Sequence, residues 1–250
     1  MHPILFNWGP LTFYTYGLLL GIGFVAGILV ASRRSRRAGL DPDSLFWFFV
    51  LLLVGGVVGG RLVHVALNSW YYGDLLSIID TRQGGLSIHG VLLGGVVAMA
   101  AYSKAKGIPF SLLADVIAPG VILGQAIGRI GCFFSGCCYG IETSGTWGFL
   151  TRFAPGLRHP YQLYESAADF ALFALLMYLS DKVPFQGSLF ASYVTGYSVI
   201  RFALEFFRDN DAFLAGLSYG QWAAILGAAV GVGLFLYFGK HPSRTPDRAA

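Results

Sequence analysis

Charged residues are scarce in this chain. Of its 250 residues only 12% are charged, whereas 55% are hydrophobic and the mean hydropathy is +0.63. Soluble domains carry about 25% charged residues, because a folded surface must be hydrated. The chain has too little charge to cover itself in water. Its composition therefore excludes an ordinary soluble protein and predicts an integral membrane protein.

Motifs for nucleotide or nucleic-acid binding are also missing. No Walker-type loop or dinucleotide-binding glycine pattern follows a strand. The basic run at 33–37 is too short for the continuous basic surface that nucleic-acid binding requires. The sequence shows no long linker and no obvious internal repeat. A cleavable signal peptide is not expected either, because no basic segment precedes the first apolar stretch. One domain over residues 1–250 is therefore predicted.

Long hydrophobic runs, in contrast, are abundant. A membrane-spanning helix needs about 20 largely apolar residues. The stretches that qualify are 13–31, 45–68, 86–103, 112–134, 163–180, 187–205 and 221–239. Glycine runs such as GGVVGG at 55–60 and LLGG at 92–95 are typical of helices that approach closely within a membrane. The sequence predicts an all-α bundle of seven transmembrane helices.

Basic residues divide unevenly between the two sides of this predicted bundle. One side carries Arg33, Arg34, Arg36, Arg37, Lys104, Lys106, Lys182, Lys240, Arg244 and Arg248. The other side carries Arg82, Arg152, Arg158 and Arg208. Cytoplasmic loops are enriched in lysine and arginine. The bias predicts a C-terminus in the cytoplasm and an N-terminus outside.

Three arginines, Arg61, Arg129 and Arg201, interrupt apolar spans. An arginine near the bilayer centre costs about 2.5–3.5 kcal/mol and usually faces a cavity or a partner. Arg61 is expected to extend from its helix to the interface. Arg201 can pair with Glu205, four residues later on the same helical face. Guanidinium groups bind phosphate in a bidentate manner, so Arg129 and Arg201 are candidates to hold a phospholipid headgroup.

Further polar residues lie where spans begin on the outer side. Arg208 follows Arg201 and Glu205 and could bind the same headgroup. His89 lies among glycines at the start of a span, and a histidine can transfer protons near neutral pH. A lone histidine is more often structural. Tyr16 is either an interfacial tyrosine or a ligand contact.

Eight ordered motifs of the chain resemble the prolipoprotein diacylglyceryl transferase family. They are YGLLL at 16–20, GGRL at 59–62, QGGLSIHG at 83–90, ADVIAPG at 114–120, GRIGCFFSGCCYG at 128–140, RHPYQLYE at 158–165, RFALEFFR at 201–208 and YGQ at 219–221. The resemblance implies seven transmembrane helices with small periplasmic elements, in the inner membrane of a bacterium. It implies neither a metal nor an organic cofactor.

The resemblance also implies a reaction and its partners. The family moves the diacylglyceryl group of phosphatidylglycerol onto the lipobox cysteine of a preprolipoprotein signal peptide, at the bilayer. A thioether forms and glycerol phosphate leaves. By position, Arg129 and Arg201 would hold the phosphate, and His89 would be the general base or position the thiol. Tyr16 and Gly140 would shape the donor site, and Glu205 would orient Arg201.

The central motif departs from the family pattern, which reads approximately GR-x-GNF-x-NGE-x-x-G. Cys132 and Ser135 stand where that pattern has asparagine, and Cys137 stands where it has glutamate. These residues are candidates to line the site, and cysteine is a weak hydrogen-bonding group. Two alternatives follow: a related transferase with another acceptor or donor lipid, or a non-catalytic membrane protein that binds lipid or lipoprotein. A thiol–disulfide enzyme is a weaker alternative, because no C-x-x-C motif is present.

Cys132, Cys137 and Cys138 are the only cysteines of the chain, and their role stays open at this point. They are interpreted first as small thiols that fill space. A disulfide, Cys132–Cys137 or a strained Cys137–Cys138, ranks second. A metal site ranks third, because zinc sites usually require four ligands. A catalytic thiol is a minor alternative.

Overall fold

The structure is a computed structural model that describes residues 3–9, 11–80, 84–182 and 184–241. Four residues used above fall outside the described residues. They are Arg82, Gln83, Arg244 and Arg248.

Long helices occupy the segments that the sequence predicts as spans. In chain order the helices are α1 Thr15–Arg37, α2 Pro42–Leu67, a short α3 Leu75–Ile79, α4 Ile88–Lys106, α5 Phe110–Ser135, α6 Tyr161–Leu179, α7 Ser188–Glu205 and α8 Tyr219–Lys240. A 3₁₀ turn, Ser69–Tyr71, precedes α3. Among the described residues, five helices are long and apolar enough to cross a membrane: α1, α2 over Phe46–Leu67, α4, α5 and α8. The chain is therefore a mostly helical membrane protein.

Helices α6 and α7 are not among these five. They carry the fully or nearly fully buried carboxylates Glu165, Asp169 and Glu205. Charged groups inside an apolar bundle are tolerated only when they find partners there. Helices α6 and α7 thus bring acidic side chains into the interior.

Three antiparallel hairpins supplement the helices, which the all-α prediction does not specify. They are β1 Ile4–Trp8 with β2 Leu11–Tyr14, β3 Phe149–Thr151 with β4 Ala154–Arg158, and β5 Ala212–Leu214 with β6 Leu217–Ser218. Each is separated by no more than two residues from the long helix that follows it: α1, α6 or α8. In the last hairpin, Ala215 and Gly216 both have positive φ, at 52° and 75°, as a tight primed turn requires.

The chain forms two compact units, described separately below. The large unit comprises residues 1–33 and 114–250, and the small unit comprises residues 34–113. Tyr16, Arg129, Gly140, Arg201 and the cysteines belong to the large unit. His89 and Arg61 belong to the small unit.

In the small unit, α2 and α4 cross at glycines, as the runs at 55–60 and 92–95 predict. A Cβ built on Gly94 would overlap the carbonyl oxygen of Gly55 and lie 3.1 Å from the Cα of Gly59. Phe48 of α2 is fully buried and packs on Tyr102 of α4, with ring centroids 4.9 Å apart. The close approach of two backbones at small residues is the usual way to pack helices in a membrane.

Gly94→Ala is expected to destabilise the small unit by about 1–3 kcal/mol, because an added methyl would force the two helices apart. Gly95→Ala is the matched control, since a Cβ there meets no atom within 4 Å. Chemical unfolding of both variants in detergent measures the difference. Equal stability of the two variants would refute the close contact at Gly94.

In the large unit, α1 and α5 also meet at glycines. A Cβ on Gly23 would lie 2.8 Å from the carbonyl oxygen of Gly124, and one on Gly27 would lie 2.7 Å from that of Gly120. A buried apolar cluster joins α5, α6 and α7 through Ile122, Leu172, Leu176 and Leu189. Close packing of α5, α6 and α7 fixes the helix faces that carry the polar site.

Candidate functional site

Arg129 and Glu165 form an ion pair between α5 and α6. The Arg129 Nη2 atom lies 2.8 Å from the Glu165 Oε1 atom. The Glu165 side chain is fully buried, whereas 19% of the Arg129 side chain is exposed. A buried carboxylate without a cation would be strongly unfavourable, so Glu165 requires this partner. The Tyr197 hydroxyl also donates to Glu165 Oε1, over 3.3 Å.

Arg201, on α7, lies between two carboxylates. Its Nη2 is 2.8 Å from Glu205 Oε2, which confirms the predicted pairing four residues apart. Its Nη1 is 3.7 Å from Glu165 Oε2 and also donates to the Tyr161 hydroxyl. Glu165 thus connects Arg129 and Arg201, and it holds the two guanidinium groups within one cluster.

Glu205 is held at the junction of α7 and α8. Its Oε1 accepts hydrogen bonds from Asn210 Nδ2 at 2.6 Å and from Ser218 Oγ at 3.1 Å. Arg208 Nη1 lies 3.8 Å from Glu205 Oε2. A Cβ on Gly220 would overlap the Glu205 carboxylate, so this position of the YGQ motif requires glycine. These contacts make Glu205 a rigid support for Arg201.

The ion-paired cluster carries an excess of positive charge. It contains three guanidinium groups, those of Arg129, Arg201 and Arg208, against the two carboxylates of Glu165 and Glu205. The exposed fractions of the three arginine side chains are 19%, 13% and 25%. Part of each guanidinium group therefore remains accessible to a ligand. One excess positive charge and accessible fork-shaped donors suit a phosphate group of a single negative charge.

Gly140 lies where three chain segments meet beside Arg208. Its backbone N–H donates to the carbonyl oxygen of His159 at 3.0 Å, and its strand-like bridge pairs it with Arg208. A Cβ on Gly140 would lie 2.5 Å from the carbonyl oxygen of Phe207. Gly140 thus places the backbone of Arg208 at the cluster. Its predicted role in shaping a donor site stays a prediction.

Tyr16 lies in the first turn of α1 and is 40% exposed. A Cβ on Gly131 would lie 3.2 Å from the Tyr16 ring, so the ring covers α5 within one turn of Arg129. The predicted role of Tyr16 in shaping the donor site stays a prediction.

The GRIGCFFSGCCYG segment forms the end of α5 and the turn after it. Cys132 is in the last turn of α5, Ser135 ends the helix, and Cys137 and Cys138 follow Gly136. The Cys137 carbonyl oxygen accepts a hydrogen bond from Gln162 Nε2 of α6. All three cysteines are free and half-buried, so neither of the considered disulfides is formed. Within the described part of the chain, no group of three histidine, cysteine or acidic side chains is placed to hold a metal ion.

His89 lies in the first turn of α4, in the small unit, and is exposed. Its assignment as the general base stays a prediction.

Arg61 is only 8% exposed, and its expected extension to the membrane interface stays a prediction. Its guanidinium group donates to five carbonyl oxygens, over 2.6–3.0 Å, those of Ser77, Ile78, Asp80, Gly84 and Gly85. The segment between α2 and α4 turns back over the end of α2 and presents these carbonyls. Arg61 therefore has a structural role.

Comparison with known proteins agrees with this geometry. The family model described as prolipoprotein diacylglyceryl transferase matches residues 3–237. The chain belongs to the prolipoprotein diacylglyceryl transferase family. A phosphatidylglycerol–prolipoprotein diacylglyceryl transferase of Bordetella parapertussis is 38% identical over 258 residues, covering 97% of both proteins. The protein of the same description from Clostridium tetani is 32% identical, covering 94% of this chain and 97% of that protein. That from Clostridioides difficile is 34% identical over 90% of each chain.

Two residues at the centre of the cluster, Glu165 and Tyr161, were not predicted from the sequence as site residues. Glu165 links Arg129 to Arg201. Tyr161 contacts Arg201, and the centroid of its ring lies 5.6 Å from the guanidinium carbon of Arg208. Both lie in the RHPYQLYE motif, and its glutamate could have been predicted as the partner of Arg129, for which no partner was predicted from the sequence. An acidic residue within an apolar helix needs a cation, and Arg129 had none assigned.

Proposed function

We propose that this chain transfers the diacylglyceryl group of phosphatidylglycerol to the cysteine thiol of a prolipoprotein. The products would be a thioether-linked protein and glycerol phosphate. The observation that carries the proposal is the Arg129–Glu165–Arg201–Glu205–Arg208 cluster, with its single excess positive charge. Membership of a family whose curated relatives bear this activity in their names supports the choice of substrates.

The cluster suits the leaving group of this reaction. As the sulfur attacks a glyceryl carbon, the carbon–oxygen bond breaks and its electron pair passes to the phosphate. The phosphodiester has one negative charge, whereas the departing phosphate monoester gains a second. Arg129 and Arg201 would stabilise this developing charge. The stabilisation would be strongest as the bond breaks, which is the requirement for catalysis.

The carboxylates would keep the arginines in place before the lipid binds. Glu165 contacts both Arg129 and Arg201, and Glu205 contacts both Arg201 and Arg208. Donors that are already oriented need no rearrangement as charge develops. Glu165 and Glu205 are therefore positioning residues.

The proton of the acceptor thiol must also be removed. We keep His89 as the candidate base, because an imidazole accepts a proton near neutral pH and the residue is exposed at a helix start. Replacing His89 should slow transfer without weakening the binding of phosphatidylglycerol. If His89 instead contacted the lipid, the replacement would weaken binding as well.

A covalent intermediate on Cys132, Cys137 or Cys138 would not help this reaction. Transfer to an enzyme thiol would itself produce a thioether, and a thiolate leaves an alkyl carbon less readily than a phosphate. The intermediate would be an end product. Direct transfer to the acceptor is therefore the proposed course.

We also propose the finer topology: seven spans in the bacterial inner membrane, the N-terminus outside and the C-terminus in the cytoplasm. On this topology, the amino ends of α1, α6 and α8, with their three hairpins, would face outward. The bilayer would then supply phosphatidylglycerol from its outer leaflet, and a signal peptide carrying a lipobox cysteine would be the acceptor.

Two alternatives remain as outcomes of the test. A different acceptor or donor lipid is suggested by the three family positions at which Cys132, Ser135 and Cys137 replace asparagine, asparagine and glutamate. A non-catalytic protein is less consistent with the cluster, because buried ion pairs offer no net stability over apolar packing.

The testing experiment incubates the purified protein in liposomes with phosphatidylglycerol and a lipobox peptide. Wild type should give a peptide heavier by one diacylglyceryl group. Arg201→Ala should lower the rate about 10²–10³-fold, as removal of one charge-stabilising donor does in other enzymes. Arg152→Ala, on the exposed turn between β3 and β4, is the matched control and should retain full activity.

Loss of activity in Arg152→Ala, or full activity in Arg201→Ala, would contradict the assignment. A folded wild-type protein that binds phosphatidylglycerol but gives no modified peptide would favour a different acceptor.

A further inference from the structure

The three cysteines are not used by the proposed reaction, yet they lie together. The Cys137 thiol points back to Cys132, with its Sγ 3.7 Å from the Cys132 carbonyl oxygen. All three cysteines lie within one segment of seven residues, and all three are reduced and half-buried, so small reagents can approach them. Cys132 and Cys137 are therefore a candidate dithiol pair, with Cys138 as a third thiol next to it in the sequence.

We propose that Cys132 and Cys137 are a reversible oxidation site that lowers transfer when it is in the disulfide form. The site lies next to the arginine cluster, and its effect on activity rests on the proposed function.

The chemistry needs one oxidant, a small-molecule or protein disulfide. The thiolate of one cysteine attacks that disulfide, forms a mixed disulfide and releases one thiol of the oxidant. The thiolate of the second cysteine then attacks the mixed disulfide and releases the other thiol. Overall, Cys132 and Cys137 lose two protons and two electrons, and the oxidant becomes two thiols.

The pair is assigned to Cys132 and Cys137 for two reasons. The Cys137 thiol is directed at the backbone carbonyl of Cys132, which places it beside that residue. A Cys137–Cys138 bridge would close a strained ring between neighbours, and Cys138 already has the left-handed φ of 58°. Cys138 follows Cys137 directly and is not needed for the bridge.

This disulfide would close a loop of only a few residues. A disulfide that closes a short loop stabilises the folded state only slightly. The bridge should therefore be easily reduced and would not be a permanent structural disulfide. On the proposed topology, the end of α5 faces the outer side, where disulfides form readily. Both points favour a reversible modification.

The effect on the site follows from the position of Cys132. It lies three residues after Arg129, on the neighbouring turn of α5, and Gln162 fixes the Cys137 carbonyl. The Cys137 thiol faces the carbonyl oxygen of Cys132, so both side chains must reorient to adopt disulfide geometry. The reorientation would shift the last turn of α5 and the Arg129 guanidinium with it. Misplacement of a catalytic group by about 1 Å can cost 10²-fold in rate.

The test treats the purified full-length protein in detergent with oxidised glutathione, then alkylates the remaining thiols and localises them by mass spectrometry. Wild type and Cys138→Ser should each lose two thiols together, with no glutathione retained and two hydrogen atoms fewer. Cys132→Ser and Cys137→Ser should form no Cys132–Cys137 bridge. Alkylation of all three thiols in treated wild type, or a bridge that involves Cys138 instead, would overturn the proposal.

A second measurement follows transfer before and after oxidation. Wild type and Cys138→Ser should lose activity at least tenfold and recover it with dithiothreitol, whereas Cys137→Ser should keep its own starting activity. A bridge that forms without changing transfer would overturn the regulatory part. The thiol count does not depend on any transferase activity, so failure of the proposed function would be seen separately.

Discussion

Arg129→Lys is expected to lower diacylglyceryl transfer about 10²–10³-fold while leaving the protein folded. Lysine keeps the positive charge but has one compact ammonium group in place of the planar fork. It could still pair with Glu165, but it could not also present parallel donors to the phosphate. The rate should therefore fall more than the affinity for phosphatidylglycerol, because the lost interaction is strongest as negative charge develops.

The measurement compares initial rates and lipid binding for Arg129→Lys and Arg152→Lys in liposomes. Arg152 lies in the exposed turn between β3 and β4, so its substitution tests for a general effect of exchanging arginine for lysine. Both variants should bind detergent and unfold like wild type. Wild-type turnover by Arg129→Lys would show that charge alone suffices and would remove the role given to the guanidinium fork.

The second large effect is expected for Glu165→Gln. Glutamine has nearly the same shape but no charge, so Arg129 would lose its 2.8 Å partner and Arg201 would lose its weaker one. Removing one partner of a buried ion pair costs about 3–5 kcal/mol, because the remaining charge is left uncompensated. The cost should be smaller here, because both arginine side chains are partly exposed and water can solvate their charge. We expect a lower free energy of unfolding and loss of transfer together.

Glu142→Gln is the matched control, because Glu142 is exposed and lies outside the cluster. Its free energy of unfolding should change by less than about 0.5 kcal/mol. Chemical unfolding in detergent and transfer rates would be measured on both variants. If Glu165→Gln were as stable and as active as Glu142→Gln, Glu165 would not be the residue that holds the two arginines.

The helices could be predicted from the sequence because long, largely apolar segments mark them, even where α6 and α7 contain acidic residues. Each of the segments predicted as spans contains a long helix, and the glycines at 55–60 and 92–95 do lie at a helix crossing. The β5–β6 hairpin could not be predicted from the sequence, because its strands contain three and two residues, too few for a periodic pattern. Its Ala–Gly turn gives only a weak signal, since alanine rarely takes positive φ.

The site was only partly predictable for a different reason. The Arg201–Glu205 pair follows from spacing along one helix, and helical geometry is known in advance. The Arg129–Glu165 pair joins residues of two helices, and which helix faces meet depends on packing that sequence does not display. The partners of Arg61 could not be predicted either. They include backbone carbonyls of α3 and of the residue after it, and no side chain in the sequence marks them.

The most direct test of the account measures both products of one reaction. Liposomes would contain phosphatidylglycerol labelled in its headgroup glycerol, and the acceptor would be a lipobox peptide. Wild-type protein should release glycerol phosphate and form thioether-linked peptide in equal amounts, and a peptide with serine in place of the lipobox cysteine should give neither. Folded wild-type protein that releases no glycerol phosphate, or releases it without forming the thioether, would contradict the proposed transfer.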